Sequence, residues 1–171
     1  MSDVRSEGKI HPAPVRKVLT VQTDLDRAFA VFTQRIGRWW PRTHSINRTP
    51  MTDVVIEPRV GGRWYERGED GSECEWGKVL TWQPPTRLVL AWQLGPDWRY
   101  NVALVTEVEL TFTSVGTRET RVKLEHRSLE RFGAVAHEIR GRLDSPGGWG
   151  GVLAAFGRLA QSPSQDPPEA S

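Results

Sequence analysis

Tryptophan is the residue type in this chain best suited to a chemical task. The 171 residues include eight Trp but only two Tyr. Each indole brings about 150–250 Å² of flat apolar surface and one N–H that needs a partner when buried. Trp40, Trp64, Trp76, Trp92 and Trp149, joined by Phe112, Leu153 and Phe156, are the candidate ligand-binding residues. They would form walls for a hydrophobic or polycyclic small molecule, because pockets for such molecules are mostly apolar with a few placed polar groups. Arg63, Glu75, Lys78 and His126 are candidates for those polar groups if they face inward. The same aromatics would serve equally as plain core filling, and Glu57 with Arg63 would serve equally as an ion pair across a hairpin.

No catalytic set accompanies them. The chain has no Cys-x-x-Cys, no His-Glu-x-x-His and no Gly-x-Ser-x-Gly. Gly147-Gly148-Trp149-Gly150-Gly151 lacks the Lys-Ser/Thr of a phosphate loop and follows no strand. The histidines (His11, His44, His126, His137) have no ligand spacing, and His126 at a strand end reads first as a satisfied structural residue. Cys74 is the one cysteine, flanked by Glu73 and Glu75, which would raise a thiol's pKa. No catalytic residue, metal site or cofactor is expected. With 23 Lys+Arg against 21 Asp+Glu, interspersed, nothing argues for nucleic-acid binding. No run approaches the ~18 apolar residues of a membrane span. Met1 to Lys9 lack the apolar stretch of a secretory signal, and a single Cys excludes an internal disulfide, so the expected location is the cytoplasm.

The elements that must position these side chains follow from periodicity. Residues 1–14 and 162–171 read as disordered tails around one domain, 15–161, because they cannot bury enough apolar surface to offset ordering entropy. Strands are predicted at 15–22, 54–57, 63–67, 73–82, 87–93, 106–113 and 118–126. In the last two, Val108, Leu110 and Phe112 face one way, as do Val122, Leu124 and His126, which is the pattern of an antiparallel sheet wet on one side. A helix capped by Thr23 or Asp24 carries Leu25, Ala28, Phe29 and Phe32 and breaks around Gly37. A second helical stretch carries Phe132, Ala136, Ile139 and Leu143. The final helix starts at Ser145-Pro146, an N-cap followed by Pro at the first position. It presents Trp149, Val152, Leu153, Phe156, Leu159 and Ala160 as one apolar stripe. Gly150, Gly151 and Gly157 lie inside it at about 1 kcal/mol each relative to Ala. That calls for close approach of helix to sheet, or for space beside the helix that a ligand fills.

The residues also resemble a known group. Trp39-Trp40-Pro41, the run Glu57-Pro58-Arg59-Val60-Gly61-Gly62-Arg63-Trp64-Tyr65-Glu66, Glu75-Trp76-Gly77-Lys78-Val79, the Pro84-Pro85 strand break and Ser145-Pro146-Gly147-Gly148-Trp149 recur in this order in the START-like (SRPBCC) superfamily. The branch is the one similar to the activator of heat-shock-protein-90 ATPase. The resemblance implies an α+β helix-grip fold: a curved antiparallel sheet of six to seven strands around a long C-terminal helix, with a cavity between them. Val15-Arg16 and Glu125-His126 extend the similarity to the self-sacrifice resistance proteins of enediyne producers. That implies sequestration of a reactive drug and hydrogen donation from a glycine, with Gly95 or the helix glycines as candidates. The wider group implies two alternatives: a chaperone partner, heat-shock protein 90, or a polyketide cyclase-like activity in which His126 or Glu75 acts as acid or base.

Overall fold

The computed structural model describes residues 12–163, so most of both expected tails, with His11, lies outside the described residues. Seven strands form one antiparallel sheet: β1 (Val15–Val21), β2 (Met51–Ile56), β3 (Arg63–Gly68), β4 (Glu73–Gln83), β5 (Arg87–Trp92), β6 (Thr106–Gly116) and β7 (Glu119–Arg127). Their order across the sheet is β1-β7-β6-β5-β4-β3-β2. Strands consecutive in sequence are neighbours, except that β1 and β2 occupy opposite edges. Residues 22–50 must therefore cross the sheet from edge to edge, and they do so as α1 (Leu25–Thr33), α2 (Ile36–Trp39) and a loop. The sheet curls into a half-barrel. After β7 come a 3₁₀ turn (Leu129–Val135), α3 (Ala136–Asp144), a π turn (Pro146–Gly150) and the closing helix α4 (Gly151–Gln161). No helix among the described residues is long and apolar enough to cross a membrane.

The two-residue alternation predicted for β6 and β7 is what builds the sheet. Val108, Leu110, Phe112, Val122, Leu124 and His126 are buried on the inner face. On the outer face Arg127 pairs with Glu107 and Glu109, and Glu109 also pairs with Arg87. Asp24 caps α1 by accepting from the Arg27 backbone N–H at 2.8 Å. Phe29 and Phe32 of α1 meet Phe112 edge-on at 5.2 and 6.0 Å, and Phe156 of α4 closes on Phe32 at 5.3 Å. Trp82, near the C-terminal end of β4, edges against Phe29 at 5.3 Å. At this end of the molecule Phe29, Phe32, Phe112 and Phe156 are all buried in the core.

Two expectations about helix boundaries change. Gly37 does not end the first helix. The break falls at Gln34–Arg35, and Gly37 sits inside α2, where a Cβ would stand 1.7 Å from the Asp53 carboxylate oxygen of β2. This glycine lets a helix lie against an edge strand. The final helical stretch is also not continuous from Pro146. Gly148 has φ −101° and ψ −130°, outside helical values, so Trp149 belongs to a separate turn and the regular stripe begins at Val152. Ser145 holds extended N-cap geometry, yet its Oγ donates back to the Arg142 carbonyl at 2.7 Å and does not cap the turn. Gly157 meets Leu19 of β1, with a Cβ position 3.0 Å from Leu19 Cδ2, so this glycine serves close approach of helix to sheet.

Candidate functional site

The tryptophan end is built around a β-bulge. In the β3–β4 pairing Trp64 faces Gly77 while Tyr65 faces Glu75, which leaves Trp76 as the extra residue. A bulge turns a side chain that strict alternation would send the other way. Trp64 and Trp76 both end up buried on the inner side, with ring centroids 5.4 Å apart. Gly77 permits this, since a Cβ there would overlap the Ala91 carbonyl oxygen of β5 at 1.7 Å.

Trp92 at the end of β5, Trp40 at the end of α2 and Trp149 in the π turn complete a closed ring of five indoles. The successive centroid separations are 4.9 Å (Trp40–Trp76), 5.4 Å (Trp76–Trp64), 5.8 Å (Trp64–Trp92), 5.6 Å (Trp92–Trp149) and 6.1 Å (Trp149–Trp40). Edge-to-face contacts of this kind add about 0.5–1.5 kcal/mol each beyond area burial.

Polar partners fix the indoles in place. Trp149 Nε1 donates to His126 Nδ1 at 3.0 Å, so His126 carries its proton on Nε2 and donates to Thr106 Oγ1 at 2.8 Å. Thr106 Oγ1 in turn donates to the Trp92 carbonyl at 3.2 Å. His126 is fully buried with both nitrogens used, and burial pushes its pKa down to about 3, so it is neutral and structural. Trp76 Nε1 donates to Glu66 Oε1 at 3.0 Å. The same buried carboxylate accepts from Ser45 Oγ and from the Ile46 backbone N–H, which ties the loop after α2 to the indole ring. Trp40 Nε1 donates to the His44 carbonyl at 3.0 Å. Trp64 Nε1 is buried with no hydrogen-bond partner among the described residues.

Against this ring lies a hollow of about 400 Å³. Trp40, Trp76, Trp92 and Trp149 form its wall together with Leu94, Leu143 and Val152, and its mouth is made by three loops. The loop after α2 contributes Thr43, His44, Ser45 and Ile46. The loop after β5 contributes Trp98, the last turn of α3 contributes Arg142, and the turn after it contributes Ser145, Gly147 and Gly148. His44 Nε2 donates to the Gly147 carbonyl at 2.8 Å and straps the first loop to the third.

The other residues singled out in the sequence lie elsewhere. Trp64 belongs to the ring without lining the hollow, while Phe112, Leu153 and Phe156 belong to the buried core. Arg63 faces outward by alternation with Trp64 on β3, and Glu75 faces outward because the bulge reverses parity on β4. Arg63 makes hydrogen bonds to Glu75 and Glu73 and stacks over Tyr65 at 3.9 Å. Lys78 is exposed. Glu57 accepts from the Arg63 backbone N–H, not from its guanidinium. Gly95 is buried in the loop after β5, one residue past the wall, with its N–H on the Arg99 carbonyl and its carbonyl accepting from Trp98. Cys74 is half-buried; burial, then the Glu66 and Asp70 charges, push its thiol up. Loops carry no periodicity, so His44 and Trp98 left no signal in the sequence, and Arg142 lies on the polar side of α3 among other charged residues. Glu66 had one, as a carboxylate inside an otherwise inward-facing run.

A curled antiparallel sheet gripping a C-terminal helix, with an aromatic-walled hollow at one end, defines the helix-grip class of the START-like (SRPBCC) superfamily. Within it, the chain belongs to the family of activator of Hsp90 ATPase homolog 1-like proteins, whose model matches residues 22–161. Among solved structures, the anthrahydroquino-γ-pyrone synthase Txn09, in complex with SUM, is 37% identical over 87% of this chain and 97% of its own, with a TM-score of 0.62. The self-sacrificing resistance protein CalC from Micromonospora echinospora is 30% identical over 86% of this chain and 94% of its own, with a TM-score of 0.64. The Aha1 dimer from Colwellia psychrerythraea is 12% identical over 88% of this chain and 97% of its own, with a TM-score of 0.58, a likeness of fold alone. No curated protein sequence matches the chain.

Proposed function

We propose that the protein binds a polycyclic aromatic small molecule in the hollow against the indole ring. The observation that carries this reading is the wall itself: four buried tryptophans and a fifth, Trp98, around about 400 Å³. That volume is within the ~300–1,000 Å³ typical of small-molecule sites. The likeness to Txn09, a synthase of a polycyclic product by its name, supports the same ligand class, and the likeness to CalC adds enediynes to the panel worth testing. Gly147 and Gly148, not Gly95, are the glycines that such a drug would meet on the wall. A chaperone partnership has less support, since the likeness to Aha1 carries only the fold.

Trp98 supplies the test. It lines the hollow while 41% exposed, and it holds φ +62°, a left-handed conformation costing a bulky residue about 1–2 kcal/mol. Trp98→Gly is expected to relieve that conformation and leave the thermal midpoint unchanged or slightly raised. It should also weaken binding of an anthraquinone about three- to tenfold, read by saturable quenching of the remaining tryptophans. No saturable response from the parent protein across a panel of anthraquinones and enediynes would remove the reading.

The 37% identity to a synthase favours a second reading, turnover of a polyketide precursor in the same hollow. Its acid–base group would be His44, the imidazole on the wall, whose bonds to Thr43 Oγ1 and the Gly147 carbonyl are solvent-exposed and exchangeable, whereas His126 is sealed in the interior and Glu75 faces outward. Turnover by the parent protein and not by His44→Ala, with quenching retained in both, is the expected result. Equal turnover in both would exclude His44.

A further inference from the structure

The hollow is chemically two-ended. Its floor offers indole faces whose polar atoms are spoken for: Trp40 N–H by the His44 carbonyl, Trp76 N–H by Glu66, Trp149 N–H by His126. Its mouth offers hydroxyls, an imidazole and the guanidinium of Arg142. No Asp or Glu is among the lining residues, and the buried Glu66 carboxylate behind them is occupied by Ser45, Ile46 and Trp76. Arg142 is thus the fixed charge on the wall. It stands at the end of α3, and Glu138 one helical turn back engages one side of its guanidinium, Nη2, at 2.7 Å. Both side chains are more than half exposed, at 53% and 58%. Exposed pairs of this (i, i+4) kind are weak and yield readily to a second anion, and a guanidinium has donors for both.

We infer that the ligand is an anionic polycycle, held with its flat apolar body against the indoles and a carboxylate or ionised phenol turned outward to Arg142. This rests on the binding reading above and narrows it to a class of ligand and an orientation. Glu138 takes the role of a tuning residue: it competes with the ligand for the same guanidinium without touching the hollow.

The test uses two probes of one shape, anthraquinone-2-carboxylate and uncharged 2-(hydroxymethyl)anthraquinone, titrated by tryptophan quenching at low salt. The parent protein should bind the carboxylate about fivefold more tightly. Arg142→Gln should erase that preference, weakening the carboxylate about fivefold more than the uncharged probe, Arg142→Lys should restore part of it, and 0.5 M salt should narrow it by screening (Debye length about 4–5 Å). Glu138→Gln, which frees the guanidinium, should tighten the carboxylate about twofold and leave the uncharged probe alone. Equal affinity for the two probes in the parent protein, or a preference that survives Arg142→Gln, would overturn the inference while the binding reading stands. Failure of both probes to quench would remove the binding reading itself, and this inference with it.

Discussion

Gly77→Ala is expected to cost at least about 4 kcal/mol, the range reserved for the few substitutions that break a structural necessity, and so most of a typical domain's stability of about 5–15 kcal/mol. The added methyl would stand 1.7 Å from the Ala91 carbonyl oxygen and 2.8 Å from its carbon. Those are backbone atoms of the neighbouring strand, which cannot rotate out of the way as a side chain can. Relief requires β4 and β5 to separate at the point where Gly77 faces Trp92, and the same movement would undo the bulge that turns Trp76 inward. Urea denaturation checks this, with tryptophan fluorescence reporting the ring directly. A midpoint close to that of the parent protein would mean that the approach of these strands is not what fixes the bulge.

Acid sensitivity is the second large expectation, and its sign follows from His126. The folded pKa lies near 3 against an ordinary imidazole value near 6.5, with burial as the cause. Above pH 6.5 the residue is neutral in folded and unfolded chains and contributes no pH dependence. Below 6.5 the unfolded chain takes up a proton that the folded one refuses. Stability therefore falls by up to about 1.4 kcal/mol per pH unit until the folded value is reached. Between pH 6.5 and 4.5 that amounts to about 2–3 kcal/mol. His126→Gln should flatten the thermal midpoint across this window, whatever it costs at neutral pH. Asp144, held below the usual carboxylate range by its hydrogen bond to Lys17, adds a loss at lower pH that the variant retains. Its stability is present above an ordinary carboxylate value and disappears as pH falls through the depressed one. Identical slopes between pH 6.5 and 4.5 in the two proteins would show that some other group governs the decline.

How much of this was legible in the sequence depended on whether a residue sat in a repeating pattern. Val108, Leu110 and Phe112 against Val122, Leu124 and His126 announce their strands by alternation, and the quoted motifs placed those strands in the helix-grip class. The tryptophans were recognisable as a group because composition alone sets them apart. Their division was not. Trp64 and Trp76 lie twelve residues apart, and a flat sheet could not reveal that a bulge at Trp76 would bring both to one face. The same bulge sends Glu75 outward to Arg63, so that pair fell on the wrong side of the sheet from the hollow, while His126 faces inward but is sealed beneath Trp149. Its actual polar residues, His44, Ser145 and Arg142, come from segments about a hundred residues apart, and only the crossing of residues 22–50 brings them together. The glycines of Gly147–Gly151 are conspicuous in the sequence, and for two of them the cause is local: a Cβ on Gly148 would meet the Leu143 and Arg142 carbonyl oxygens at 2.3 and 2.4 Å, and one on Gly151 the Pro146 carbonyl oxygen at 2.4 Å.

The separation between a phenylalanine-filled end and a tryptophan-walled end has a consequence for how such a protein diversifies. Folding leans on Phe29, Phe32, Phe112 and Phe156, whereas the rim of the hollow is drawn from three connecting segments that share none of those contacts. Descendants of this scaffold are free to exchange rim residues, and with them their choice of guest, without endangering the foundation on which the chain folds. Inheritance of shape and inheritance of taste are thereby uncoupled.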